Sequence, residues 1–265
     1  MLDSDRFVVE SPYVRRARRP EARFRLFCFP HAGAGASSFA EWPRWLPDDV
    51  ELVAVQLPGR EDRVRERPLT DMAPAVRTLA LALRPYLGGS FAFFGHSGGA
   101  LLAFELARAL RQKRGVEPAH LFLSGQAAPD FPSRAEPIHH LPEPEFRAAL
   151  HALGGTARAV VDNEDLMRLL LPVLRADFTL GEGYRFQPGP PLSTAITALG
   201  GVDDDRAPAD ALEAWRRHTV GPFHRRIFDG GHFYLTDAAA ELADTVGQAL
   251  LHPETSRGEE EVRIG

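Results

Sequence analysis

Cysteine is nearly missing from this chain: Cys28 is the only one in 265 residues. That excludes an internal disulfide framework and any metal site built from several thiolates. An excess of positive charge is missing too. Lysine and arginine number 31 against 36 acidic residues, giving a net charge of −5 and a pI near 6.1, which removes nucleic acid from the expected partners. The one basic cluster, Arg15-Arg16-Ala17-Arg18-Arg19, is local and reads as a solvated edge. No run of about 18 apolar residues occurs, so no membrane span is expected. The opening Met1-Leu2-Asp3-Ser4-Asp5-Arg6 lacks the basic-then-apolar layout of a secretory signal, and the expected setting is the cytoplasm. Internal repeats are also lacking.

Apolar residues make up 44% and charged residues 25%, the balance of a soluble globular protein. The length suits a sizeable core in a single domain. Short apolar runs of strand length recur at 24–29, 50–55, 91–94, 120–124, 193–199 and 224–228. Helical spacing appears at 72–87, from 98 to about 114, at 209–218 and at 238–251. A short helix holding Trp42 and Trp45 is expected over 38–46. Strands that are apolar throughout and alternate with helices predict an α/β fold, a mostly parallel central sheet flanked by helices. Between about 127 and 191 the alternation stops. Prolines punctuate that segment, then two helical stretches follow at 143–153 and 163–184, with Pro172 inside the second. The economical reading is a helical lid insertion over the sheet, because about 60 residues is short for a separate domain. The expected core segments are about 22–126 and 192–252, the lid about 127–191. A loose lead-in at 1–21 and a disordered tail at 253–265 complete the chain.

The stretch 91–107 carries the chemistry. An apolar strand breaks at Gly95-His96-Ser97-Gly98-Gly99 and a helix-forming run follows at once. That is the strand, sharp turn and helix of a G-x-S-x-G nucleophile elbow with Ser97 at its apex. A serine held out of the backbone in a strained turn needs small neighbours, which the glycines supply. Such a serine requires a base and a carboxylate to orient it, and in this template the acid and then the histidine follow the serine. Gly200-Gly201-Val202-Asp203-Asp204-Asp205 and Asp229-Gly230-Gly231-His232-Phe233 fill those slots, each in a loop after a strand. Spacing alone leaves open which of the three aspartates faces His232. The oxyanion hole is expected from the backbone N–H of Gly98 and a second from Ala32, in the Gly-rich loop after the first long strand. His31 reads as shaping that loop, His96 as packing under the elbow, and Cys28 as a small core residue rather than a nucleophile.

Five blocks in order resemble a known family over nearly the whole chain. They are Phe29-Pro30-His31-Ala32-Gly33, Gln56-Leu57-Pro58-Gly59-Arg60-Glu61, Gly95-His96-Ser97, Leu171-Pro172-Val173-Leu174-Arg175-Ala176-Asp177-Phe178, and Asp229-Gly230-Gly231-His232-Phe233. Together they resemble type II thioesterases, the stand-alone α/β-hydrolases of polyketide synthase and non-ribosomal peptide synthetase systems. The resemblance implies an α/β-hydrolase fold and hydrolysis of short or aberrant acyl thioesters from the phosphopantetheine arms of acyl or peptidyl carrier domains. It implies Ser97 as nucleophile, His232 as base and Asp204 as acid, counted three residues after Gly201. Asp203 stays a weaker candidate, because Asp205 stands where many members have proline. Gly98 departs from the family's usual methionine, which keeps the N–H and removes a side chain beside the acyl group. Neither a metal nor an organic cofactor is implied, and a monomer is expected. Because carrier domains are commonly acidic, arginines in 60–67 are candidates for docking, set against a plain solvated loop.

Two other activities compete with this reading. One is a carboxylesterase acting on small soluble esters or thioesters, since fold and triad do not fix substrate. The other is a non-catalytic acyl-carrier binder on a hydrolase fold, which would not need Ser97, Asp204 and His232 together.

Overall fold

The computed structural model describes residues 7–132, 136–154 and 163–252; the expected tail lies outside the described residues. The strands, in chain order, are β1 (Phe7–Ser11), β2 (Val14–Ala17), β3 (Phe24–Phe29), β4 (Val50–Val55), β5 (Ser90–His96), β6 (His120–Ser124), β7 (Ala195–Gly201) and β8 (Phe223–Phe228). They form one sheet in the order β1-β2-β4-β3-β5-β6-β7-β8. From β4 across to β8 every pairing is parallel, while β1 and β2 join as an antiparallel edge. The helices are α1 (Met72–Ala82), α2 (Gly98–Arg114), α3 (Glu143–Leu153), α4 (Glu164–Glu182), α5 (Ala209–Glu213), α6 (Tyr234–Asp237) and α7 (Ala239–Leu251).

Alternate residues of each inner strand face opposite layers, which is why those strands read as apolar without interruption. Phe27, Phe29, Phe91, Phe93, Leu121 and Leu123 enter the core shared with α1 and α2. Leu26, Cys28, Ala92, Phe94 and Phe122 enter the one shared with Trp42 and with Leu242 and Val246 of α7. Each fully buried Phe contributes about 1.5–3 kcal/mol by leaving water. Edge-to-face contacts of Phe93 with Phe27 and Phe29, at 5.7 and 5.2 Å between ring centres, add to that.

Register decides where the functional loops emerge. Phe29 pairs with Gly95, Gly95 with Leu123, Leu123 with Ala198, and Gly201 with Phe228. The carboxyl ends of β3, β5, β6, β7 and β8 are therefore level, and their following loops gather along one edge of the sheet. Between β6 and β7 the chain forms α3 and α4. Asn163 caps α4, its Oδ1 accepting from the N–H groups of Asp165 and Leu166 at 3.1 Å each. The two helices share a small core in which Phe146 and Leu150 meet Met167 and Leu174.

Four sequence expectations change. The segment expected as a loose lead-in forms β1 and β2, with Val14 and Ala17 fully buried. Of the arginines at 15–19, expected as a solvated edge, only Arg18 is exposed: Arg15 is buried, and Glu51, itself buried, pairs with Arg16 at 2.9 Å and with Arg25 of β3 at 3.2 Å. The Arg19 guanidinium donates to the carbonyls of Leu46, Pro47 and Val50. The residues at 38–46 make two 3-10 turns, Ala36–Phe39 and Trp42–Arg44, in place of one helix. β7 begins two residues later than expected and runs through Gly201, its pairing with β8 extending from Ile196–Phe223 to Gly201–Phe228, while Leu192 makes a separate bridge with Thr219. Among the described residues no helix is long and apolar enough to cross a membrane.

Candidate active site

Ser97 sits between β5 and α2 with φ 55° and ψ −126°, a left-handed conformation that costs a non-glycine residue free energy. Close packing on both sides holds it there. A Cβ on Gly95 would come within 2.4 Å of the Gly99 carbonyl oxygen, and one on Gly99 within 2.3 Å of the Phe29 oxygen. The two flanking glycines thus let the turn approach its own helix and the end of β3. The Ser97 N–H donates to Ser124 O at 2.8 Å, tying the elbow to the end of β6.

His232 lies 3.0 Å from Ser97 Oγ through Nε2 and 2.9 Å from Asp204 Oδ2 through Nδ1. An ionised carboxylate only accepts, so Nδ1 carries the proton and Nε2 is left to accept from the Ser97 hydroxyl. The second carboxylate oxygen of Asp204 accepts from the N–H groups of Arg206 and Ala207 at 3.0 and 3.3 Å. The Asp204 side chain is wholly buried, whereas Asp203 and Asp205 are exposed. Geometry therefore singles out Asp204 among the three aspartates.

Two further imidazoles stand close by, and both are held neutral. His96 is fully buried beneath the elbow, its ring centre 5.1 Å from that of His232. Burial, with His232 and His31 nearby, pushes its pKa well below the usual value. Its Nδ1 meets Ser124 Oγ at 2.8 Å, and Ser124 Oγ meets the Tyr234 hydroxyl at 2.6 Å. His31 packs edge-on against His96 and Phe233. Desolvation first, then the charges of His232 and Arg60, lower its pKa to about 4. Positive charge at neutral pH is thereby kept off the two rings that surround His232.

Ala32 and Gly98 line the same cavity as Ser97 and His232, a space of about 700 Å³ walled on its apolar side by Leu101, Leu150, Leu174 and Phe178. Gly98 opens α2, where backbone N–H groups have no intrahelical acceptor and the helix end is partly positive. The loop that bears Ala32 is braced from three directions. Gln56 Oε1 accepts from Ala36 N–H at 2.7 Å, and Glu61 accepts from the N–H and hydroxyl of Ser37 at 3.1 and 2.6 Å. Asp177, from α4, accepts from Gly33 N–H at 2.7 Å while receiving both guanidinium nitrogens of Arg60 at 2.8 Å. Arg60 also donates to Ala34 O at 2.9 Å.

This bracing corrects the docking expectation for 60–67. Arg60 and Arg63 are buried. Arg63 is spent on Glu66, on the carbonyls of Pro12 and Gln56, and on the face of Tyr13. Of the four arginines in that stretch, only Arg65 and Arg67 are exposed. The blocks at 56–61 and 171–178 stand out in the sequence, but the tasks of Gln56, Glu61 and Asp177 are visible only in the structure, as are those of Ser124 and Tyr234. The signal for Asp177 was its place in an apolar helical block where an isolated carboxylate needs a partner. Cys28 is buried in β3, and burial pushes its thiol pKa far up. Among the described residues no cluster of three or more His, Cys, Asp or Glu side chains could hold a metal ion.

Similarity to characterised proteins extends along nearly the whole chain. The profile of the Thioesterase domain family matches residues 24–250. Thioesterase PikA5 of Streptomyces venezuelae is 39% identical over 267 residues, covering 100% of this chain and 93% of that protein. The gramicidin S biosynthesis protein GrsT of Aneurinibacillus migulanus is 43% identical over 229 residues, covering 86% of this chain and 90% of that one. Among solved structures, the type II thioesterase BorB from the borrelidin biosynthetic cluster superposes with a TM-score of 0.83 at 38% identity. That match covers 91% of this chain and 98% of the other.

Proposed function

The chain belongs to the Thioesterase domain family, and we propose from that premise that it is an editing thioesterase of the type II class. Its substrates are short or aberrant acyl groups held as thioesters on the phosphopantetheine arms of acyl or peptidyl carrier domains. Ser97 Oγ attacks the thioester carbonyl while His232 Nε2 takes the hydroxyl proton, and Asp204 steadies the imidazolium that results. Negative charge on the carbonyl oxygen collects against the N–H groups of Ala32 and Gly98. The C–S bond breaks, His232 returns the proton to the departing sulfur, and the acyl group remains on Ser97 as an ester. A water then gives a proton to His232 and attacks the acyl carbon. The carboxylic acid leaves as His232 restores the proton to Ser97. One water is consumed, and one acid and one free thiol are formed. Every proton is carried by His232, so this cycle calls for no cofactor.

The observation that supports these roles is the unbroken line of hydrogen bonds from Ser97 Oγ through His232 to buried Asp204, at a cavity with an apolar wall. An acyl chain fits such a wall, and α3 and α4 above it act in this reading as the lid. The test compares acyl-loaded carrier protein, a free acyl thioester and a simple aryl ester, each with wild type and Ser97→Ala. Loaded carrier should be turned over by wild type, with loss of about a millionfold in kcat for the variant, the scale seen when a serine nucleophile is deleted. Rapid ester turnover with no action on the carrier would establish a carboxylesterase instead.

A further inference from the structure

Ser97 Oγ and His232 Nε2 stand 3.0 Å apart on two loops, one after β5 and one after β8, strands that are not neighbours in the sheet. Asp204 turns the imidazole of His232, but it holds the ring and not the backbone that carries it. Ser124, the last residue of β6, holds both loops from beneath. Its carbonyl accepts from Ser97 N–H at 2.8 Å. Its hydroxyl meets His96 Nδ1 at 2.8 Å and the Tyr234 hydroxyl at 2.6 Å. His96 immediately precedes the nucleophile, and Tyr234 lies two residues after His232. All three side chains are buried, so their polar atoms bond one another or lose the bond outright. Both rings are also confined by their neighbours. A Cβ on Gly125 would come within 2.6 Å of His96 Cε1, and Tyr234 stacks on Phe228 with ring centres 5.0 Å apart.

The hydrogens in this line run one way. Burial raises the Tyr234 pKa above the ordinary tyrosine value, so the phenol keeps its hydrogen. Among the described residues Ser124 Oγ is the partner that hydroxyl finds. A buried O–H without an acceptor is costly, so Tyr234 donates to Ser124 and Ser124 donates on to His96 Nδ1. The neutral imidazole then carries its own hydrogen on Nε2. That nitrogen is buried and meets no partner at hydrogen-bond geometry. Burial lowers the pKa of the ring, and against that the His232 backbone raises it, the effect of a carbonyl facing a ring N–H. The line therefore starts two residues beyond His232, passes under the elbow, and ends beneath His232 itself.

We propose that Ser124 is a positioning residue: with Tyr234 donating to it and His96 accepting from it, it staples the loop of His232 to the elbow of Ser97 and sets the distance between them. The proposal rests on the roles of Ser97 and His232 given above, and it is independent of what carries the acyl group. The experiment follows covalent labelling of Ser97 by a fluorophosphonate, separating the maximal rate from the half-saturating concentration. Wild type is compared with Ser124→Ala, Tyr234→Phe, the double variant and Thr197→Val. The last removes another buried hydroxyl that bonds a histidine, His120 Nε2 at 2.8 Å, on the next strand and away from the elbow. Ser124→Ala and Tyr234→Phe should each lower the maximal rate at least tenfold, since an ångström of misplacement costs up to about 10²-fold. Their half-saturating concentrations should stay within about twofold of wild type. The double variant should fall no further than Ser124→Ala, because both changes cut one line. Thr197→Val should be labelled at the wild-type rate while losing as much stability to urea as Ser124→Ala. Nitrogen-15 spectra of wild type should show His96 protonated on Nε2. Labelling of Tyr234→Phe at the wild-type rate, an equal fall in Thr197→Val, multiplied losses in the double variant, or a His96 protonated on Nδ1 would each overturn the proposal with the nucleophile assignment intact. Failure of wild type to be labelled, or undiminished labelling of Ser97→Ala, would remove that assignment and the positioning role with it.

Discussion

At Asp204 the carboxylate is buried, one oxygen on His232 and the other on two backbone N–H groups, while the neighbouring Asp203 side chain stands in solvent. Asp204→Asn keeps the shape but puts an amide where only an acceptor serves. The imidazole then loses the tautomer that leaves Nε2 free to take the serine proton. A fall in kcat of about 10⁴-fold is expected, against less than about twofold for Asp203→Asn. Steady-state kinetics of the two variants check this, and the reverse ranking would move the acid to Asp203. Gly98 makes a different prediction. A Cβ built there meets no atom within 4 Å, and the residue lines the cavity beside Ser97. Gly98→Met should therefore fold normally and fill part of the acyl space. Competition between a short unbranched and a bulky branched acyl thioester should show the kcat/KM ratio shifting about tenfold toward the short one, the discrimination expected of one or two methylenes in an apolar pocket.

Among the elements, α4 has the most to explain, since its Asp177 reaches the loop bearing Ala32 and closes a bidentate pair with Arg60. Asp177→Asn leaves a buried guanidinium without its counter-charge and loosens the acceptor of Gly33 N–H. Urea denaturation should show a loss of about 3–5 kcal/mol, and kcat should fall further than KM rises because Ala32 N–H is displaced. A change in KM alone would mean that α4 shapes substrate binding without touching the oxyanion loop. The main strands and the Ser97 and His232 positions are readable from the chain because each depends on local pattern: a buried strand, a short loop, a chemically distinctive side chain. Asp204 is legible only through the family resemblance, since three consecutive aspartates share one loop and burial alone separates them. The edge pair β1 and β2 is legible in neither way. Its residues carry arginines whose partners, Glu51 and the carbonyls near Leu46, come from elsewhere in the fold. Arg60 was misread as a surface cation for the same reason: its acid lies 117 residues away, on a helix that periodicity cannot aim.

For the molecule as a whole, burial of neutral histidines sets the response to acid. Desolvation lowers His120 to about 3, where its ring lies stacked on Phe122 and bonds Thr197 Oγ1 at 2.8 Å. His31 lies at about 4, and His96 is lowered as well. Below the ordinary histidine value of 6.5 the unfolded chain takes up protons that the folded one refuses. Stability is thus fully present above about pH 7 and declines as pH falls toward 4, by up to about 1.4 kcal/mol per pH unit for each such group. Chemical denaturation at pH 7.5 and 5 should show this slope, and His120→Gln should flatten it; an unchanged slope would mean that His120 takes up protons in the folded state as it does in the unfolded one. The hold of α4 on the catalytic loop has one more consequence. Asp177 fixes its middle, and Glu182 at its end accepts from the N–H groups of Ile138 and His139. By contrast, α3 rests on α4 through Phe146, Leu150 and the exposed Arg147–Glu164 pair. For an engineer, α3 is a replaceable cassette: acyl preference can be regrafted there while the machinery beneath keeps its anchor.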